Sequence, residues 1–174
     1  PMICIVDYNA GNLTSVKRAL DHLGRPSAIT PDPAEIARAE RIIFPGVGRA
    51  ATAMAVLVDR GLDDALREAF GKGTPILGIC LGTQIILSRS AEDDADCLGL
   101  IAGECPRFAP DDPSLKVPHM GWNAVRTTGE HPVLAGIADG DEFYFVHSYY
   151  PLPADEGDIL AVCEYGIAFP AALG

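Results

Sequence analysis

The chain has 174 residues, 48% of them hydrophobic, and a formal net charge of -11. That is enough apolar material for one domain with a proper core, and too acidic a balance for an electrostatic grip on nucleic acid or an anionic membrane. Five cysteines, Cys4, Cys80, Cys97, Cys105 and Cys163, form an odd set without a C-x-x-C pair, which points to reduced thiols and a cytoplasmic setting. No apolar run approaches a membrane span, and the first residues lead into Asp7 without a basic leader, so nothing marks the chain for export.

In chain order, residues 2–6 read as a short apolar strand. Residues 12–23 follow as an amphipathic helix, with Leu13, Val16, Leu20 and Leu23 at helical spacing. Gly24 closes that helix, 26–29 can form a second strand, and Asp32-Pro33 with Glu35 starts a short helix through Arg38. A third strand is predicted over 41–44, then a tight Pro45-Gly46-Val47-Gly48 loop and helices over 50–58 and 62–70, broken at Gly61. The apolar run from Pro75 fits a buried strand ending at Cys80, with an apolar helix after it. Strand and helix in alternation predict a parallel sheet with helices on both faces and a ligand site beyond the carboxyl ends of the strands.

Beyond Arg89 the pattern changes. Glu92-Asp93-Asp94-Ala95-Asp96 reads as a solvated loop, and short strands are predicted over 104–108, 123–126, 142–147, 159–164 and 167–172. This half is expected to add antiparallel sheet on one side of the parallel core, within a single domain over residues 1–174.

Gly78-Ile79-Cys80-Leu81-Gly82 has the spacing of a nucleophile elbow, in which glycines flank a strained residue at the start of a helix. A thiol there is favoured as thiolate by the helix N-terminus. The pentapeptide by itself fits a small buried cysteine between two ordinary glycines equally well. Pro45-Gly46-Val47-Gly48 should reach the same sheet edge, where its amides and the N–H of Leu81 could hold an oxyanion; taken alone, it reads more readily as a plain glycine-rich turn.

Five blocks, taken in order, carry a resemblance: Asp7-Tyr8-Asn9-Ala10-Gly11-Asn12, Phe44-Pro45-Gly46-Val47-Gly48, Gly78-Ile79-Cys80-Leu81-Gly82-Thr83-Gln84, Val117-Pro118-His119-Met120-Gly121-Trp122-Asn123, and Phe145-Val146-His147-Ser148-Tyr149. Together they resemble the class I glutamine amidotransferases, and more narrowly the glutaminase subunits of imidazole glycerol phosphate synthases, over nearly the whole chain. The resemblance implies an α/β fold with a central, mostly parallel sheet, flanking helices and an added antiparallel portion. It implies that Cys80 attacks the carboxamide of L-glutamine, releases ammonia and leaves a glutamyl thioester for water to hydrolyse. Val47, Gly48 and Leu81 would form the oxyanion hole, and Gly46, Gln84, Ser148 and Tyr149 would seat the substrate. Asn12, Met120, Trp122, Asn123 and Tyr144 would face a barrel-type synthase partner in a heterodimer that uses the ammonia. No cofactor or metal is implied.

The same resemblance calls for a late His-x-Glu motif as general base and orienting carboxylate, and this sequence has none. Its histidines are His22, His119, His131 and His147. His131-Pro132-Val133 carries Val in the orienting position, His22 reads as a surface residue, and His147 is the best base within the chain, though its expected role is structural. The expectation is therefore of a chain cut short of its base, and of a weak or inactive glutaminase. The alternatives are another cysteine-elbow hydrolase or a non-catalytic binding subunit. Thr83, where the family usually has Met, touches no expected role.

Overall fold

A computed structural model describes residues 2–174; Pro1, the first position of the expected domain, lies outside the described residues. The first half alternates as its periodicity dictates: β1 (Ile3–Val6), α1 (Leu13–His22), β2 (Ser27–Thr30), α2 (Pro33–Ile36), β3 (Arg41–Gly46), α3 (Ala50–Asp59), α4 (Leu62–Gly71), β4 (Ile76–Cys80) and α5 (Leu81–Ile86). Local signals set the helix starts. Asn12 Oδ1 accepts from Ser15 N at 3.2 Å, and Asp32 Oδ1 from Ala34 N at 2.8 Å with Pro33 behind it.

The four strands form a parallel sheet in the order β2-β1-β3-β4. Strand alternation sends Cys4, Val6, Ile42 and Phe44 to one face, where they are buried with Ile36, Leu57, Leu62 and Leu66 from the helices. The other face carries Ile29, Ile5, Ile43 and Leu77 side by side in register. Ile5 is fully buried there, whereas Leu77 and Ile79 are exposed. The expectation of a buried strand before Cys80 is thus corrected. Among the described residues β4 is the last strand of its sheet, and α1 packs chiefly on β1 and β2. A second correction is that β3 runs through Pro45 and Gly46, so the predicted loop begins only at Val47.

The second half contains β5 (Arg89–Ser90), β6 (Ala95–Asp96), β7 (Gly103–Cys105), β8 (His119–Thr127), β9 (Glu142–His147), β10 (Leu152–Pro153), β11 (Ile159–Glu164) and β12 (Ala168–Leu173). It makes two further sheets rather than one. The order β10-β7-β5-β6 includes a parallel β5–β7 pair, and the order β12-β11-β8-β9 is antiparallel throughout. Phe108, Val125, Cys163 and Phe169 form the buried centre of the last.

The acidic run is not a free solvated loop. Residues 91–94 turn between β5 and β6; Glu92 Oε2 accepts from Ala50 N at 2.9 Å, Asp93 pairs with Arg49, and Asp94 with Arg89. The start of α3 has no side-chain cap of its own, so a carboxylate from a distant hairpin satisfies one of its free amides.

Candidate active site

β3 and β4 are adjacent and parallel, and their register sets Gly46 opposite Cys80. The two glycine-containing segments therefore leave the sheet side by side. Cys80 has φ 57° and ψ -117°, a backbone conformation that an L-residue adopts only under constraint. The constraint is packing on either side. A β-carbon on Gly82 would run into the Phe44 carbonyl oxygen of β3, and one on Gly78 would lie 2.9 Å from Thr83 N. The glycines of the elbow are thus required by close approach of neighbouring elements, not only by the tightness of the turn. Gly48, with φ +101° and open space around it, serves the loop by conformation instead.

Cys80 is solvent-exposed, yet the surrounding protein raises its thiol above the ordinary 9.0. Desolvation is the larger influence, and the Leu81 N–H at the start of α5 opposes it without overcoming it. This corrects the expectation of a thiolate favoured by the helix end: α5 has only six residues and its dipole is correspondingly weak. The resting group is a thiol. Beside it, the Tyr8 hydroxyl is buried against Gly46 with no hydrogen-bond partner among the described residues, and burial and the Cys80 charge both push its pKa up. Tyr8 lies in a motif that reads well in the sequence, but nothing in the sequence reveals that its ring packs on Phe44 with the hydroxyl against Gly46.

Gln84 and Tyr149 are brought together: Gln84 Nε2 donates to Tyr149 O at 3.0 Å, which ties α5 to the segment after β9. Ser148 is in the same segment, its carbonyl accepting from Phe108 N at 2.9 Å. His147, the best base available to sequence reasoning, is fully engaged elsewhere. Its Nδ1 lies 2.9 Å from Tyr149 O and its Nε2 3.0 Å from His119 Nδ1. His131 accepts from Val133 N, and His22 is exposed on α1. Among the described residues no hydrogen bond joins a histidine to Cys80, and no group of three His, Cys, Asp or Glu could hold a metal. No helix among them is long and apolar enough to cross a membrane.

The expected interface residues separate into two sets. Met120, Trp122 and Tyr144 are exposed, and Trp122 stands opposite Tyr144 with ring centroids 5.8 Å apart. They lie on strands β8 and β9 rather than in a loop, and Val146, paired with Met120, completes the patch. Asn123 is on the opposite face of β8: its amide donates to Glu164 O at 2.8 Å, so its side chain braces the sheet instead of joining the patch. Asn12 is exposed but its oxygen caps α1.

The family description Glutamine amidotransferase class-I matches residues 4–170. A protein of Nitratidesulfovibrio vulgaris named imidazole glycerol phosphate synthase subunit HisH is 51% identical, over 99% of this chain and 83% of its own length. Proteins of the same name from Dehalococcoides mccartyi and Moorella thermoacetica are 47% and 46% identical, covering 97% and 98% of this chain and 81% and 80% of theirs. Among solved structures, a glutamine amidotransferase superposes with a TM-score of 0.70 at 17% identity, covering 92% of this chain and 84% of the other. A second, from Thermotoga maritima, gives 0.65 at 12% identity, covering 94% and 67%. At those identities the likeness is one of fold.

Proposed function

The chain belongs to the class I glutamine amidotransferase family, and we infer that it is the glutaminase subunit of an imidazole glycerol phosphate synthase, supplying ammonia to its synthase partner for histidine biosynthesis. The observation that carries the reading is the meeting, at one sheet edge, of a strained exposed Cys80 with the Gly46–Gly48 segment opposite it.

Sγ of Cys80, once deprotonated, adds to the side-chain carbonyl carbon of glutamine. The oxygen takes up the negative charge, and the N–H of Leu81 with those of Val47 and Gly48 stabilise it. Collapse of this intermediate breaks the C–N bond, ammonia leaves with an added proton, and a glutamyl thioester remains. Water adds to the thioester, glutamate departs and the thiol is restored. Gly46, Gln84, Ser148 and Tyr149 line the seat for the substrate. Because the thiol pKa is raised, the first step requires a proton acceptor, and the ring nitrogens of His147 and His119 are committed to each other and to Tyr149. Residues 1–174 by themselves are therefore expected to hold glutamine but turn it over slowly.

The partner, a barrel-type synthase in a heterodimer, docks on Met120, Trp122 and Tyr144, where aromatic and thioether side chains suit a surface that keeps ammonia from bulk water. Five free cysteines and a small polar substrate support a cytoplasmic setting. The test is glutamine-dependent against ammonia-dependent synthesis in the complex. Cys80→Ala abolishes the first and spares the second; retention of glutamine-dependent synthesis by Cys80→Ala rules the reading out.

A further inference from the structure

The proposed chemistry leaves His119 and His147 unused, yet the two rings are paired with each other and held by further hydrogen bonds on either side. They stand directly opposite each other in the β8–β9 register, with His119 Nδ1 3.0 Å from His147 Nε2. The direction of every hydrogen bond follows from one group, the Tyr149 carbonyl, which can only accept. His147 Nδ1, 2.9 Å from it, therefore carries the proton, and the neutral ring presents Nε2 as an acceptor. His119 must donate from Nδ1 and so accepts at Nε2, where Asn123 Nδ2 lies 3.4 Å away and also donates to Glu164 O. The same Tyr149 carbonyl receives Gln84 Nε2 at 3.0 Å.

The surroundings hold this arrangement in place. His119 is 2% exposed and stacked between Phe145 and Tyr165, with centroids 5.0 and 4.0 Å away. Burial disfavours the charged form of both rings, which keeps one acceptor nitrogen on each. Met120 and Trp122 alternate with His119 and Asn123 along β8, so the outward side chains of one strand dock the partner while the inward ones bear on the pair.

We propose that His119 and His147 are positioning residues, a one-directional relay from Asn123 through both rings that fixes the Tyr149 carbonyl and, with it, Gln84 at the glutamine seat. The relay makes the seat mechanically continuous with the strand that carries Met120 and Trp122. It rests on the functional reading above, in which that seat takes glutamine and that strand meets the synthase.

The test uses the full protein in complex with its synthase partner. His119→Phe keeps the aromatic stack and removes the donor to His147. In this variant the KM for glutamine rises about tenfold, the size expected when a buried hydrogen bond is broken. The kcat at saturating glutamine, ammonia-dependent synthesis and affinity for the partner all stay within about twofold of wild type. Imidazole 15N NMR of the wild-type complex shows both rings as Nδ1–H tautomers. An unchanged KM, or an Nε2–H tautomer on either wild-type ring, overturns the relay, and the second result needs no variant to fold. A wild-type complex that releases no ammonia from glutamine while showing both Nδ1–H rings overturns the functional reading, and the coupling with it, while leaving the geometry of the pair intact.

Discussion

Gly82 packs so closely under Phe44 that a β-carbon at residue 82 would overlap the Phe44 carbonyl oxygen. The contact joins the first turn of α5 to β3 and thereby holds Cys80 beside Gly46. Because the obstacle is backbone, it cannot swing aside. Gly82→Ala is expected to destabilise the fold by about 3 kcal/mol or more, read as a lowered urea midpoint. Gly71 has open space around it at the end of α4, so Gly71→Ala should be neutral or stabilise by up to about 1 kcal/mol. Equal midpoints for the two variants would remove packing as the reason for glycine in the elbow.

Cys80 should alkylate slowly at neutral pH. Its thiol lies above the ordinary 9.0, so the thiolate fraction, and with it the rate of reaction with iodoacetamide, should still be rising at pH 9. Cys4, Cys97, Cys105 and Cys163 are buried and should stay unmodified in the folded protein. A rate that levels off below pH 8 would contradict the balance of desolvation over the Leu81 N–H.

The histidine pair sets a pH dependence of stability with a definite sign. Both pKa values are lowered on folding from 6.5, so the unfolded chain takes up protons first as the pH falls. The contribution of the neutral pair is complete above about pH 6.5 and is lost progressively below it. The urea midpoint should therefore fall between pH 7.5 and 5.5. In a His119→Phe/His147→Phe double variant that fall should be smaller, and a fall of the same size would assign it to the carboxylates.

Glu92 acts across the fold. Glu92→Ala removes the acceptor for Ala50 N and should cost about 1 kcal/mol, the size of a helix cap. Asp93→Ala should change the midpoint less, since its pairing with Arg49 is solvent-exposed.

Trp122→Ala should leave stability within about 0.5 kcal/mol, because the ring is 68% exposed, while weakening binding of the synthase partner at least about tenfold. Calorimetric titration of the partner gives the second number directly. Unchanged affinity would move the docking surface elsewhere.

The sequence by itself determined the alternating elements of the first half, the start of α5 at the cysteine, and the strands at Glu142–His147 and Ile159–Glu164. Those features are written in local periodicity, glycine spacing and capping residues, all of which act within a few positions. The five ordered motifs also carried the family. Tertiary structure alone decided that β4 is an edge strand, that Asn123 turns inward while Trp122 turns out, and that the acidic run caps α3. Each depends on partners distant in the chain: which strand lies beside β4, what packs on each face of β8, and where Ala50 sits relative to Glu92. The ionisation of Cys80 belongs to the same class. The pentapeptide predicts a helix end that favours thiolate, whereas the assembled surroundings desolvate the sulfur more strongly than one short helix can offset.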